Sequence, residues 1–156
     1  MDRTTTLHIG EQSTRLTANT DPGIDNLLYV GTRELGAGPW RHAPPSPLEM
    51  EDAMAFVEDI LSPVARSLPR GTTLVTHDPE ARHLVVVARP GQDPAAPLTV
   101  EDVERVFNDL VAVSQGRPAA SGGLPHDPGF AAWVLIVREL MQHLAFDSIT
   151  VKEPIE

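Results

Sequence analysis

At 156 residues, 41% of them apolar, the chain fits one domain able to bury about two-thirds of its extended surface, which argues against wholesale disorder. Its 22 acidic and 12 basic residues give a formal charge of −10 with no clustered positive run, so neither nucleic acid nor an anionic membrane is an expected partner. Cysteine is absent, which excludes disulfides, thiolate metal sites and cysteine nucleophiles.

The N-terminal third reads as strands. Thr4 to Ile9 alternates, with Thr5, Leu7 and Ile9 on one face and Thr6 and His8 on the other. Gly10-Glu11-Gln12 turns the chain into Ser13 to Ala18, a hairpin. Asp21-Pro22-Gly23 is a turn signal, and Ile24 to Leu35 holds a third strand around LLYV. GAGPWRHAPPS, 36–46, is irregular, because three prolines and two glycines forbid regular structure. A helix follows, with Ser46 as cap, Pro47 in its first turn and Glu49 completing a capping box. Met50, Met54, Val57, Leu61, Val64 and Leu68 form its apolar stripe, and Pro63 should kink or end it.

TTLVTHD and RHLVVVAR read as two strands of a hairpin joined at Asp78-Pro79, the second covered on both faces. RPGQDPAAP, 89–97, is a loop. Thr99 caps a second helix with Asp102 three residues on, and Val103, Val106, Phe107, Leu110 and Val113 form its buried stripe. Residues 115–128 make a second flexible loop. Asp127 and Pro128 open a long apolar helix, and Ser148 to Val151 returns as a strand. The expected fold is therefore a single α+β domain over 1–156, order β-β-β-α-β-β-α-α-β, with a mixed or mainly antiparallel sheet and about three helices packed on it.

Phe130 to Val137 carries no polar side chain but is far shorter than the roughly 20 residues of a membrane span. MDRTTTLHIG has one positive charge and no apolar block, so no secretory signal is expected and the location is expected to be cytoplasmic. Every basic residue except Lys152 is arginine, a codon bias that points to a GC-rich, bacterial genome.

Two constellations could carry chemistry. His77-Asp78-Pro79 and His126-Asp127-Pro128 repeat one tripeptide, and His83 would face His77 across the expected hairpin. Two or three imidazoles with a carboxylate can hold Zn²⁺ or a similar divalent ion, so His77, Asp78, His83 and His126 are the candidate metal ligands. The competing reading is structural: Asp-Pro also occurs at 21–22 and 93–94, as this chain's general device for turns and caps. The acidic side of the first helix, Glu49, Glu51, Asp52, Glu58 and Asp59, has no Gly-rich loop or Asp-x-Asp spacing beside it and reads as a solvated face.

LHIGEQSTRL, with Gly10, Thr14 and Arg15, resembles the first hairpin of actin-like and exopolyphosphatase-like ATPase folds, which wraps a phosphate. In those folds an acidic residue precedes the glycine by two positions; here that position is His8, and the fold calls for a longer chain with a second lobe. The resemblance covers about ten residues, which are expected to form a hairpin and nothing more. Nucleophile elbow, P-loop, dinucleotide fingerprint and His-Glu-x-x-His are all absent.

On a helical wheel of the last helix, Ala131, Ala132 and Leu135 fall beside Arg138, Glu139 and Gln142, away from the main stripe of Trp133, Val134, Ile136, Val137, Leu140, Met141 and Leu144. This second patch needs cover, and a second subunit or protein partner would provide it. The expected function is accordingly a non-catalytic interaction or accessory module, homodimeric and without cofactor. The alternative is a small metal-dependent hydrolase or metal-binding protein using the His/Asp cluster.

Overall fold

A computed structural model describes residues 3–91, 96–118, 124–125 and 127–153. Six strands form one mixed sheet: β1 (Thr4–Ile9), β2 (Thr14–Ala18), β3 (Ile24–Leu28), β4 (Thr73–Thr76), β5 (Leu98–Thr99) and β6 (Ser148–Val151). Their order across the sheet is β3-β2-β1-β4-β6-β5. The β1-β2-β3 meander is antiparallel, while β1-β4 and β4-β6 pair in parallel. The alternation in β1 puts Thr5, Leu7 and Ile9 on the buried face, and the register sets Leu7 opposite Leu16.

Four helices are present among the described residues: α1 (Pro47–Val64), α2 (Pro79–Ala88), α3 (Val100–Ser114) and α4 (Pro128–His143). Both expected capping boxes form, Ser46 with Glu49 and Thr99 with Asp102. The stripe of α1 buries Met50, Ala53, Val57, Leu61 and Val64, and the helix ends one residue after Pro63.

The second half of the expected hairpin is α2. RHLVVVAR is helical because Pro79 occupies the first turn after an extended Asp78, and Ala81, Leu84, Val85 and Ala88 then fall on one helical face. Val86, the middle valine, points outward and is two-thirds exposed. The observed order inserts this helix where a strand was expected, and a two-residue β5 precedes α3.

Helix α4 packs against α1, α2 and α3. Every side chain from Phe130 to Val137 is buried, Ala131, Ala132 and Leu135 among them. This corrects the expectation of an interaction surface at those three residues: other helices of the same chain already cover the patch.

Candidate functional site

Parallel strands β1 and β4 end side by side, and in such sheets the carboxyl ends of neighbouring strands are where ligands bind. After β1 the chain turns at Gly10, whose N–H donates to the Ser13 carbonyl at 2.8 Å. The segment after β3 is strapped onto that turn: Thr32 N–H donates to the Gly10 carbonyl at 2.9 Å, and Arg33 N–H to the Glu11 carbonyl at 2.8 Å. Gly31 permits this approach, since a Cβ there would collide with both carbonyls.

Beside this turn, at the start of α2, Asp78 is 3% exposed. It occupies the N-cap position, yet its carboxylate does not cap the helix. Its Oδ2 accepts the Ile9 N–H at 2.8 Å and the Trp133 indole N–H at 2.9 Å. Its Oδ1 lies 2.6 Å from Nδ1 of His8, whose side chain is 69% exposed. In the neutral ring, a carboxylate at that distance favours the tautomer with its proton on Nδ1, which leaves the Nε2 lone pair available. That nitrogen lies on the Gly10 side, 3.8 Å from where a Cβ on Gly10 would sit.

His8, Gly10, Glu11, Thr32, Arg33, Trp40, Glu80, Asp127 and Gly129 line a cleft of about 480 Å³. Burial pushes the Glu80 carboxyl above its ordinary range, with the charges of Asp78 and Asp127 acting in the same direction. Asp127 caps α4 by accepting the Gly129 N–H at 2.9 Å. The Trp40 wall is fixed by its indole N–H donating to the Glu49 carbonyl at 3.2 Å. Two clefts are larger, about 650 Å³ beside His77 and about 660 Å³ between the ends of α1 and α4. The smaller one is favoured on chemistry: there, a buried carboxylate orients an imidazole at the ends of parallel strands.

The three candidate metal ligands among the described residues, His77, Asp78 and His83, are not brought together. His77 Nδ1 lies 2.7 Å from the Glu153 carbonyl oxygen, at the mouth of a different cleft. His83 rides on α2, with its ring centroid 6.4 Å from that of Phe130, because the segment is a helix and not a returning strand. Asp78 faces His8 instead. His126 lies outside the described residues. The sequence pointed to His8 only as a departure from an acidic position, and it gave no sign of Glu80.

No protein-family model and no curated protein matches the sequence. Solved structures do match its fold. The Ppx/GppA phosphatase of Aquifex aeolicus superimposes with a TM-score of 0.74 at 14% identity, over 97% of this chain and 53% of that one. An exopolyphosphatase from Cytophaga hutchinsonii gives 0.73 at 16%, over 97% and 53%, and an exopolyphosphatase-like protein gives 0.70 at 14%, over 96% and 55%. At such identities the likeness shows the fold, and the chain spans about half the length of these proteins. It also corrects the expected function: the structures matched are those of phosphatases and exopolyphosphatases, which tells against a non-catalytic interaction module.

Proposed function

We propose that this chain is a phosphate-binding lobe of a cytoplasmic hydrolase that cleaves phosphoanhydride or phosphoester bonds, with polyphosphate-like chains as the leading substrate class. The observation that carries this reading is the buried Asp78 holding His8 at the cleft, on a fold shared with exopolyphosphatases. In the proposed reaction a water attacks the terminal phosphorus and the bridging P–O bond breaks. The water's proton passes to Nε2 of His8, and the shortened phosphate chain leaves. Arg33 supplies positive charge at the rim, and the turn at Gly10 lets backbone approach the phosphate closely. Glu11, Glu80 and Asp127 would repel a bare polyanion, so the substrate is taken as its Mg²⁺ complex.

The test is phosphate release from inorganic polyphosphate with Mg²⁺, together with calorimetric binding of tripolyphosphate. His8→Ala should lower release roughly 10²-fold or more, the range expected for loss of a general base. If the unaltered chain neither releases phosphate nor binds tripolyphosphate, or if His8→Ala changes neither quantity, the reading is wrong.

A further inference from the structure

At the far end of α4 from the cleft, on the order of 20 Å away by helical rise, a second group of side chains converges. Glu139 and His143 lie one turn apart on α4, and Glu58 faces them from α1. One ligand atom from each lies within 4.8 Å of the other two. His143 Nε2 is 3.2 Å from Glu139 Oε2 and 3.6 Å from Glu58 Oε1.

Glu139 is the unusual member. It is 1% exposed, and its Oε2 accepts no hydrogen bond. His143 Nε2 sits at ion-pair distance without bonding to it, as expected for two atoms that face a common third point. The other oxygen is committed. Oε1 accepts from Arg138 Nη1 at 2.6 Å, and that guanidinium also forks onto Glu104 and stacks on the Phe107 ring at 4.6 Å. Arg138 thereby fixes the carboxylate rotamer and leaves Oε2 aimed at His143 and Glu58.

We infer that Glu58, Glu139 and His143 form a binding site for a divalent transition-metal ion of the Zn²⁺ class, bridging α1 and α4. A tetrahedral ion with ligand bonds near 2.1 Å sets its ligand atoms roughly 3.4 Å apart, and the two distances to His143 bracket that value. The imidazole selects a transition ion over Mg²⁺ or Ca²⁺, which prefer oxygen-only shells of six or more. Three carboxylates (Glu58, Glu104, Glu139) against the single Arg138 leave two surplus negative charges, matching a divalent cation. Glu58 and His143 are both part-exposed, so the ion has an entry path and a fourth position open to water.

The experiment titrates Zn²⁺ into the full chain without a His-tag, after removal of adventitious metal by chelator. Calorimetry measures affinity, and Co²⁺ in place of Zn²⁺ gives a visible absorption band. One saturable equivalent should bind, and the Co²⁺ band should have the intensity of a four-coordinate site. His143→Ala and Glu58→Gln alter part-exposed side chains, so both variants should fold, and each should weaken binding by about tenfold or more. His8→Ala should leave it unchanged. No saturable binding, binding insensitive to His143→Ala, or binding lost only with His8→Ala would each overturn the assignment.

Discussion

One carboxylate ties three parts of the chain together. Asp78 bonds to partners 69, 70 and 55 positions away, joining β1, the start of α2 and the start of α4. Asp78→Asn keeps an acceptor for the Ile9 or Trp133 N–H but presents an amide to His8 in place of a carboxylate oxygen. The expected cost is about 1–3 kcal/mol, read as a lower urea midpoint with unchanged slope. The ¹⁵N shifts of His8 should also lose the Nδ1–H tautomer; retention of both properties would show that the contact contributes nothing. This role was not legible beforehand. Asp-Pro is so good a local signal for turns and helix starts that it accounts for Asp78 completely without its distant partners. His8 was equally opaque, since an imidazole at the end of an amphipathic strand looks like a solvent-facing side chain until its neighbour is known.

Local chemistry decided the elements where the signal was itself local. Ser46 with Glu49, and Thr99 with Asp102, are spaced so that two backbone N–H groups and two side chains satisfy one another, and such a spacing is visible in sequence. The valine run in α2 misled because β-branched residues favour strands, whereas its neighbours Ala81, Leu84 and Ala88 fit only a helical face. Glu49 gives the first of these helices a pH dependence. Burial raises its carboxyl, but the Ser46 and Arg41 N–H groups and His42 outweigh that and lower it to about 2. A depressed folded value means that the stabilisation is complete above the unfolded value of 4.5 and fades as pH falls toward about 2. Glu49→Gln should remove part of the acid-induced loss of stability across that window, at a cost of roughly 0.5–2 kcal/mol at neutral pH. Thermal unfolding of both proteins between pH 2 and 6 checks this, and parallel curves would refute it.

For the whole molecule, the apolar character of α4 is legible in the sequence, but the depth of its burial is not. Periodicity along one helix cannot show that α1, α2 and α3 all close over it, and the second patch was therefore assigned to a partner. Strand order was hidden for the same reason, since the parallel pairs β1-β4 and β4-β6 join segments far apart in the chain. Leu135 is fully buried, so Leu135→Ala should cost about 2–5 kcal/mol through lost contacts and the cavity left behind. An interfacial leucine would instead leave the stability of an isolated monomer nearly untouched. Denaturant melts at low protein concentration separate the two outcomes.

The hydrogen bond from Trp133 to Asp78 has an optical consequence. Trp133 is fully buried, so its fluorescence is shielded from water, yet its ring nitrogen shares a carboxylate with the imidazole at the mouth of the cleft. Any change of charge on that imidazole alters the field at the indole. The chain holds one other tryptophan, Trp40, which lines the same cleft. With Trp40→Phe, a single emitter wired to the site would remain, and occupancy could be followed by colour and intensity without any added label.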